Sequence, residues 1–347
     1  RDVERSRGLG DVYKRQTIQD IADKMGVSKS TVSKALNDAP DISEVLRKQV
    51  LETAVALGYT KLRRYKKPTK KVCIIIEKEN MRYQEPHHFA YDILVGFRQM
   101  AEPAGFDVEI VPVDIKTQRS QHYDVFMLEH DYIGAFVVGF SLSDPWIQDF
   151  KISRTPAVLF DNYIVGNPST AYVGIDNEEG MELAVSYLAG LGHRKIAYLS
   201  SSLGARVLQA RHAAFLRSMH QHGLKTSPAA IGCSYYLSEC MEKHLPRFLE
   251  NGITAIICNQ DTLASATLTQ CQQLGFQVPD DISIIGFDDL PIAACTSPPL
   301  TTIRQDRLEL GKSGFFALSS LLNHIPISTY LLHAQLIQRE STGKVPS

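Results

Sequence analysis

The sequence predicts a small all-α head followed by a larger, two-lobed α/β body with doubly wound parallel sheets. In the head, apolar residues recur at helical spacing on both sides of a glycine. From Val72 onward, short apolar runs alternate with helical stretches. That alternation is typical of parallel sheets that are covered by helices on both faces.

The charge of the chain divides at the same place. Residues 17–71 hold twelve Lys or Arg and six Asp or Glu, a net charge of +6. The residues from Val72 onward hold 20 basic and 29 acidic side chains, a net charge of -9. A basic head on an acidic body indicates that the head alone meets a polyanion.

The head is predicted over residues 17–60, from the stretch "TIQDIADKMGVSKSTVSKALN" onward. Its first helix begins with a capping box at Thr17 and ends at Gly26, a position suited to left-handed backbone. Ser28 is predicted to cap a second helix, and a third helix follows from Ser43. Two short helices joined by a tight glycine turn form a helix-turn-helix, and the third helix closes a small core.

The outward face of the second helix carries Lys29, Ser30 and Lys34, which are predicted to read base edges in a major groove. Lysine donates to guanine acceptors, and serine serves several bases. Polar groups near the helix ends, together with the helix N-terminus, would instead hold phosphates, which sets register without reading sequence. This second set consists of Thr17, Ser28, Thr31 and Asn37. The alternative is a helical hairpin with an ordinary solvated face.

The stretch "TIQDIADKMGVSKSTVSKALND" closely resembles the headpiece of the LacI/GalR (lactose-repressor) family, and "VLETAVALGY" continues the match to Tyr59. The resemblance implies the same three base readers, and it places backbone contacts at Asn37, Ser43 and Arg47. It also implies a transcription regulator, a repressor that binds a near-palindromic double-stranded DNA operator as a homodimer. One small head makes too few contacts for specificity, which agrees with a dimer on a two-fold site.

Residues 61–71, "KLRRYKKPTKK", are predicted to be a basic linker between head and body. In the LacI/GalR family this segment typically forms a hinge helix whose leucine wedges into the minor groove. Pro68 would interrupt such a helix here, so Leu62 and Tyr65 are the only candidates for a substitute wedge. Basic side chains of the linker are predicted to add salt-sensitive phosphate contacts. These side chains are Arg63, Arg64, Lys66 and Lys67.

The body is predicted over residues 72–347, and its strand ends outline a ligand cleft. The strand candidates are "KVCIII", "FDVEIVPV", "IGAFVVGF", "TPAVLFD", "KIAYLSS", "ITAIICN" and "ISIIGFD". The polar residues at their ends are Ser141, Asp161, Asn162, Ser200–Ser202, Gln260, Asp261, Asp288 and Asp289. With Arg211 nearby, and Phe89 and Trp146 for stacking, they suit a hydroxyl-rich ligand such as a sugar or nucleoside.

The segments "LAGLGHRKIAYL", "VPDDISIIGFDDLPIA" and "PPLTTIRQDRLELGKSG" are also similar to LacI/GalR signature segments. They imply a type I periplasmic-binding-protein-like sensor domain, in which a small-molecule effector, a carbohydrate or related metabolite, controls operator affinity. Together with the strand ends, the predicted effector contacts are Phe89, Ser141, Asp161, Arg211, Gln260, Asp288 and Gln305. Two departures bear on the identity of the effector. Gln260 stands where many members have asparagine, and "HHFA" replaces a common "NPFF".

Enzyme motifs are not found in the sequence, so no catalytic residue and no cofactor is expected. "GKS" at 311–313 has Asp306 where a P-loop needs glycine, and neither GxSxG nor HExxH occurs. The acidic pair Asp288 and Asp289 has no partner nucleophile or metal in the sequence.

The six cysteines are scattered without a CxxC pattern, which predicts free thiols of a reducing compartment rather than disulfides or a zinc site. His87 and His88 are adjacent, but no metal is expected. Because no apolar run approaches about 18 residues, no membrane span is expected, and the expected location is the cytoplasm.

Residues 1–16 are predicted to lie outside the fold, because they lack an apolar period and "DVYKRQ" resembles a translated transposon end from sequencing libraries. Two other functions stay open. One is a DNA-binding regulator whose body is blind to effectors. The other is a pure small-molecule binding protein of the periplasmic type, which would carry a signal peptide rather than a helix-turn-helix.

Overall fold

The computed structural model describes residues 17–59, 70–79 and 82–345. These residues form two compact units: one holds the head together with Asp124–Asp131, and the other holds the remaining body residues. The predictions for residues 1–16 and for most of the basic linker lie outside the described residues. The linker residues concerned are Leu62, Arg63, Arg64, Tyr65, Lys66 and Lys67.

Three helices form the head, as the helical spacing predicts: α1 (Ile18–Met25), α2 (Lys29–Leu36) and α3 (Glu44–Ala56). Each helix begins after a hydroxyl side chain that accepts a hydrogen bond from a first-turn backbone N–H. The caps are Thr17, Ser28 and Ser43, which accept at 3.4, 3.0 and 3.3 Å. Gly26 ends α1 with a φ of 66°, the left-handed conformation that glycine adopts at little cost.

The core of the head takes a fully buried β-branched side chain from each helix: Ile21, Val32 and Val50. Ala54 and Tyr59 belong to the same apolar cluster. Burial of a large apolar side chain contributes about 1.5–3 kcal/mol, so a few such residues hold a unit of this size together. This core also decides which face of α2 is left in solvent.

The body alternates strands and helices in the order that its apolar pattern predicts. The described strands are β1 (Lys71–Glu77), β2 (Asp107–Val113), β3 (Ala135–Val138), β4 (Ala157–Phe160), β5 (Thr170–Ile175), β6 (Ile196–Ser200), β7 (Ile231–Cys233), β8 (Ala255–Cys258), β9 (Ser283–Asp288), β10 (Thr301–Arg304), β11 (Thr329–Leu332) and β12 (Gln335–Ile337). The described helices are α4 (Phe89–Ala101), α5 (Ile115–Ser120), α6 (Tyr123–Glu129), α7 (Trp146–Asp149), α8 (Asn177–Gly190), α9 (Arg206–Gln221), α10 (Leu237–Glu239), α11 (Leu245–Glu250), α12 (Asp261–Gln273), α13 (Pro291–Cys295) and α14 (Arg307–Leu322).

The strands form two six-stranded sheets, one in each lobe of the body. The first sheet has the order β11-β5-β4-β3-β1-β2 and is parallel throughout. The second has the order β12-β10-β9-β8-β6-β7, and only its edge strand β12 runs antiparallel to its neighbour. This arrangement confirms the predicted fold class, and each of the seven predicted strand runs forms a strand.

The chain passes between the two lobes three times: after β5, after β10 and after β11. These crossings bring strand ends of both lobes together. The backbone N–H of Leu142 donates to the Gly204 carbonyl oxygen at 3.0 Å. The N–H of Arg206 donates to Asn162 Oδ1 at 3.1 Å. The carboxyl ends of both sheets therefore border one cleft, where ligands bind in doubly wound folds.

The cysteines are free thiols, and four of the six are buried. Burial raises the pKa of the Cys73 thiol well above its usual value, which keeps it protonated and unreactive near neutral pH. None of the helices in the described ranges is both long enough and apolar enough to cross a membrane.

Candidate functional site

The solvent-exposed face of α2 carries the three predicted base readers. Lys29, Ser30 and Lys34 are exposed, whereas Val32 and Leu36 are buried in the head core. Lys29 and Ser30 lie in the first turn of the helix. An exposed helix start of this kind has the geometry of a recognition helix, whose N-terminal residues contact bases. We call the surface formed by these three side chains the recognition face.

Several predicted phosphate contacts also stabilise the helix ends of the head. Ser43 Oγ accepts a hydrogen bond from the backbone N–H of Leu46, so its own hydroxyl proton can still be donated to a phosphate. The hydroxyls of Ser28 and Thr31 are 2.8 Å apart and share one hydrogen bond, so one proton of the two is used. Thr17 Oγ1 donates to Asp20 at 2.8 Å. At the other end of α2, Asn37 Nδ2 donates to the Ser33 carbonyl oxygen at 2.7 Å.

Two predicted DNA contacts are ion-paired within the head. Lys34 Nζ donates to Asp41 Oδ2, and Arg47 Nη1 donates to Asp38 Oδ1. The hydrogen bond from Lys34 lowers the pKa of the Asp41 carboxyl below its usual value. Both acids come from the short loop that joins α2 to α3.

Arg211, on α9, is a buried cation in the cleft and is only 4% exposed. Its Nε donates to Asn177 Oδ1 at 2.8 Å, and its Nη1 donates to the Asn259 carbonyl oxygen at 2.9 Å. The guanidinium carbon lies 3.8 Å from the centre of the Phe287 ring. Stacking and hydrogen bonds hold the guanidinium in one plane, and arginine has further N–H donors to offer a ligand.

Asp288, at the end of β9, is the acidic partner of this cation. Its Oδ1 lies 3.8 Å from Arg211 Nη1 and accepts a hydrogen bond from Gln305 Nε2 at 2.6 Å. The amide oxygen of Gln305 is buried, and it has no hydrogen-bond partner among the described residues. An unsatisfied buried acceptor costs about 1–3 kcal/mol, so a ligand hydroxyl that donates to it gains that energy back.

Asp161, at the end of β4, adds a second carboxyl group from the first lobe. Burial raises its pKa to about 7, although Arg211 opposes the rise and Asp288 adds to it. Burial also raises the pKa of Asp288, against the opposing effects of Arg211 and Gln305. Both aspartates have positive φ angles, 66° and 114°. Such backbone conformations are costly for residues with a side chain and cluster at ligand sites.

We expect the contribution of Asp161 to the stability of the ligand-free protein to fall as the pH rises from about 4 to 7. An aspartate whose pKa is raised on folding keeps its proton in the folded state after the unfolded chain has released it. In Asp161→Asn, the asparagine has nearly the same shape and tolerates the left-handed backbone, but it has no carboxyl group to bind the proton. We therefore expect it to reduce the steepest pH slope by up to about 1.4 kcal/mol per pH unit. Thermal unfolding midpoints at pH 5, 6 and 7 provide the measurement.

Asp107→Asn is the matched control for this experiment, because Asp107 is an exposed aspartate of the same lobe. Its pH dependence should equal that of the parent. If Asp161→Asn and Asp107→Asn gave the same pH dependence, the burial of Asp161 would have no consequence for stability.

Three other predicted effector contacts lie at strand and helix ends of the body. Phe89 begins α4, and its ring centre is 5.9 Å from that of Phe160. Ser141 follows β3, and its N–H donates to Asp144 Oδ2 at 2.6 Å. Gln260 precedes α12 without forming a side-chain cap. No described hydrogen bond joins the side chains of these three residues to Arg211, Asp288 or Gln305.

The expectation that Trp146 is available for stacking on a ligand is wrong. Its side chain is fully buried, and Nε1 donates to the Gln121 carbonyl oxygen at 2.9 Å. The ring packs against those of Tyr123 and Phe140 in the first lobe. Trp146 is therefore a core residue, and the short helix α7 directs it inward.

Two kinds of residue in the body were missed from the sequence. Asn177 holds the Arg211 guanidinium through its side-chain oxygen, and Asn259 holds it through its backbone carbonyl oxygen. A backbone contact leaves no mark in the residue type, and the acidic neighbours of both asparagines gave the stronger signal. Tyr235 and Tyr236 follow β7 and are 78% and 64% exposed. Because β7 has only three residues, the sequence carries no strand pattern that would have pointed to this aromatic pair.

Two further strand-end acids are engaged in the fold. Asp261 Oδ1 accepts a hydrogen bond from the Thr302 hydroxyl at 2.6 Å. Asp289 accepts from Arg304 Nε at 2.7 Å and from Arg339 Nη2 at 2.6 Å. Asp261 and Asp289 therefore have structural partners. Asp289 is held by Arg304 and Arg339, whereas its neighbour Asp288 contacts Gln305 and Arg211.

Glu85, His87 and His88 bring potential metal-ligand atoms within 4.8 Å of one another in the loop before α4. Contacts within the loop account for this closeness. The Glu85 N–H donates to His88 Nδ1 at 3.1 Å, and His87 Nδ1 lies 3.3 Å from Glu85 Oε2. The loop is exposed to solvent. We assign no metal to it.

Comparison with protein families gives two matches along the chain. Residues 17–61 match the family described as bacterial regulatory proteins, lacI family, and residues 185–342 match the periplasmic binding protein-like domain. The repressor PurR of Aliivibrio salmonicida is 27% identical over 340 residues, which cover 95% of this chain and 99% of PurR. The repressor CytR of Escherichia coli K12 is 27% identical over 338 residues, which cover 95% of this chain and 97% of CytR.

Solved structures share the fold over most of the chain. The complex of the regulator CelR with cellobiose has a TM-score of 0.69 at 23% identity, covering 94% of this chain and 100% of CelR. The Lac repressor dimer bound to operator and the anti-inducer ONPF has a TM-score of 0.65 at 23% identity, covering 95% and 100%.

A helix-turn-helix head joined to a two-lobed, periplasmic-binding-protein-like body defines a DNA-binding transcription regulator of the effector-controlled type. The full-length relatives above are transcriptional repressors. The chain belongs to the lacI family of bacterial regulatory proteins.

Proposed function

We propose that the protein represses transcription as a homodimer on a near-palindromic operator, and that a carbohydrate or related hydroxyl-rich metabolite controls its operator affinity. The observation that supports the effector class best is the buried cluster of Arg211, Asp288 and Gln305. It combines cationic donors, a carboxylate and an unpaired amide oxygen in one cleft.

A sugar hydroxyl suits this cluster because it both donates and accepts hydrogen bonds. Its oxygen accepts from the Arg211 guanidinium, and its proton is donated to Asp288 or to Gln305 Oε1. Sites that hydrogen-bond a hydroxyl reject analogues that lack it, because their buried polar groups are then left unpaired. Cellobiose in the CelR complex and ONPG in a Lac repressor complex are ligands of the same chemical kind.

The proposed coupling depends on the two lobes moving as units. A ligand between Asp161 of the first lobe and Arg211 of the second favours the lobe arrangement in which both can reach it. That arrangement changes the position of the two heads in a dimer only if the ligand binds one arrangement more tightly than the other. Effector binding and operator binding are then linked, and each shifts the affinity of the protein for the other.

A ligand screen on the full chain tests the effector proposal. We expect one class among sugars, sugar phosphates and nucleosides to raise the thermal unfolding midpoint, because a ligand of the folded state stabilises it. The same compound should change the affinity for an operator recovered by selection from random duplexes. A body that no compound stabilises would favour the effector-blind regulator. Ligand binding without any operator binding would favour the pure binding protein.

Exchange of two side chains on the recognition face tests base reading. We expect the double substitution Lys29→Ser with Ser30→Lys to change the selected operator consensus. Affinity for the parent operator should fall by about 1–3 kcal/mol, the discrimination typical of one good base contact. Lys24→Ala, at an exposed lysine of α1, should keep the parent consensus. If the exchanged protein and the parent selected the same consensus, the assignment of Lys29 and Ser30 would be wrong.

We propose that the basic linker binds DNA regardless of its base sequence. Arg63, Arg64, Lys66 and Lys67 add phosphate contacts, whose contribution falls as salt rises. Leu62 and Tyr65 remain candidates for a minor-groove wedge. The proposal places the protein with its operator in the cytoplasm and includes no catalytic step, metal or cofactor.

A further inference from the structure

We infer that the loop Asp38–Asp41 competes with DNA phosphates for two cations of the head, and that it thereby sharpens discrimination between operator and other DNA. We call this segment the acidic loop. The inference rests on the proposed DNA contacts of Lys34 and Arg47, and it assigns a specificity role to two acids outside that set of contacts.

The first observation is the ion pair between the recognition face and the acidic loop. Lys34, on α2, donates from Nζ to Asp41 Oδ2. The two side chains are 50% and 55% exposed, so both groups are accessible to solvent and to a docking duplex. In the absence of DNA, the ammonium group of a predicted base reader is therefore held by a carboxylate.

The second observation is a separate ion pair on the other side of the same loop. Arg47, in the first turn of α3, donates from Nη1 to Asp38 Oδ1. Asp38 has a left-handed backbone with a φ of 57°, a conformation that aspartate adopts more readily than most residues. Its carboxylate is 64% exposed and the arginine side chain 24%. One loop thus supplies a carboxylate to a predicted DNA contact on each flanking helix.

Stability of the head does not explain the Lys34–Asp41 pair well, because both side chains are half-exposed and solvent-exposed ion pairs contribute little to folding. The Arg47 side chain is mostly buried and also lies 4.0 Å from Glu129 Oε1, so the Arg47–Asp38 pair contributes to the packing of the head as well. The effect of both pairs on DNA binding is larger. A carboxylate at a DNA-facing surface repels the phosphate backbone, and each cation must exchange its aspartate for a DNA oxygen. Binding to nonspecific DNA, which lacks the operator sequence, depends almost entirely on such phosphate contacts. Binding to the operator also gains base contacts, which offset the cost of the exchange.

The expected consequence is that Asp41 weakens nonspecific binding more than operator binding. It also keeps the Lys34 ammonium beside the recognition helix, where a base edge is within reach, instead of leaving it free to contact any phosphate. Asp41 is therefore a positioning residue for Lys34, and Asp38 has the same relation to Arg47.

The test compares Asp41→Asn with Glu52→Gln in the full chain. Glu52 is an exposed acid on α3, so its substitution changes the net charge equally. Dissociation constants are measured for the selected operator and for a scrambled duplex between 50 and 200 mM salt, in steps of about 50 mM. We expect Asp41→Asn to bind the scrambled duplex about three- to tenfold more tightly, with a log–log salt slope steeper by about 0.9. Operator affinity should rise less, so the specificity ratio falls.

Asp38→Asn extends the test to the second pair, because asparagine tolerates the left-handed backbone of this position. We expect a change in the same direction for the scrambled duplex. The thermal unfolding midpoint of Asp41→Asn should match the parent, since the exposed Lys34–Asp41 pair adds little stability.

Two results would overturn the inference. In the first, Asp41→Asn and Glu52→Gln tighten scrambled binding equally, so net charge alone accounts for the change. In the second, Asp41→Asn weakens operator binding and leaves scrambled binding unchanged, as expected if the carboxylate itself contacts a cytosine amino group. If the parent protein bound both duplexes equally, the proposed base contacts would be wrong. The scrambled duplex would still show whether Asp41 competes with DNA phosphates for Lys34.

Discussion

Arg211→Met should abolish the effector response while leaving operator binding in place. Arg211 is the buried cation that contacts Asn177, Asn259 and Asp288 in the cleft. Loss of one member of a buried, hydrogen-bonded charge pair costs about 2–5 kcal/mol of binding energy. We therefore expect effector affinity to fall by a factor of about 30 or more, since each 1.4 kcal/mol is tenfold. Calorimetric titration with the compound found in the ligand screen measures the loss.

The matched control is Arg217→Met, on the same helix. Arg217 is half-exposed and pairs with Glu178 on the surface, so its loss should leave effector affinity within about twofold of the parent. Operator binding by Arg211→Met, measured without effector, shows that the variant has folded. If the Arg211→Met protein bound the effector as tightly as the Arg217→Met protein, the assignment of the effector site to Arg211 in the cleft would be wrong.

Arg211→Lys tests whether the effector needs only the positive charge of Arg211 or also its planar set of donors. Lysine keeps the positive charge beside Asp288 but loses the planar donor geometry and the stacking on Phe287. If charge alone mattered, Arg211→Lys would bind the effector like the parent. We expect it to behave like Arg211→Met, because hydroxyl recognition needs several fixed donors.

Gly96→Ala should destabilise the first lobe by about 3 kcal/mol or more, at the upper end of overpacking costs. Gly96 lies where α4 packs against α14, and a Cβ atom there would stand 2.0 Å from the Leu308 carbonyl oxygen. Gly311 repeats the arrangement from α14, with a Cβ 2.0 Å from the Ile93 carbonyl oxygen. The atoms in the way belong to the backbone, so the two helices would have to separate to admit a methyl group.

Gly190→Ala is the control, because Gly190 ends α8 and a Cβ there would meet no atom within 4 Å. Alanine favours helix over glycine by up to about 1 kcal/mol, so this variant should be as stable as the parent or more so. Thermal unfolding followed by far-ultraviolet circular dichroism compares the two. We expect the Gly96→Ala midpoint to lie about 6 °C or more below the parent. Equal midpoints for both variants would show that the helix contact is not as close as the structure indicates.

Much of the fold could be predicted because its signals are local. The head needs only a glycine at the turn, hydroxyl caps at Thr17, Ser28 and Ser43, and apolar residues at helical spacing. Six of the seven predicted strands are buried runs, and a strand covered on both faces has an apolar sequence regardless of its neighbours. The seventh, β2, is a partly exposed edge strand whose run "FDVEIVPV" is still rich in apolar residues. The edge strands β11 and β12 were not predicted, because both are short. β11 is a four-residue strand with three exposed residues, and β12 has three residues that are no more than half-buried.

The cleft was predictable only in part. Asp161, Arg211, Asp288 and Gln305 were all named as site residues, because strand ends and family segments mark their positions. Asn177 had no such mark. Asn259 ends the predicted run "ITAIICN", but it holds Arg211 through its backbone carbonyl oxygen, a role that its side chain does not signal. The two asparagines act across 34 and 48 residues of chain, and their roles depend on which strands become neighbours. Trp146 shows the opposite error, since a large aromatic side chain near a strand end can equally well belong to the core.

By itself, the sequence determined that a helix-turn-helix precedes a doubly wound α/β body, and it determined which helix face carries Lys29, Ser30 and Lys34. Those properties follow from hydrophobic period, turn chemistry and charge, which act between residues close in the chain. Only the tertiary structure decided that Gln305 leaves one amide oxygen unpaired beside Arg211, and that the acidic loop pairs with Lys34 and Arg47. The physical reason is that hydrogen bonds and ion pairs depend on distances of a few ångströms, which exist only after the chain has packed.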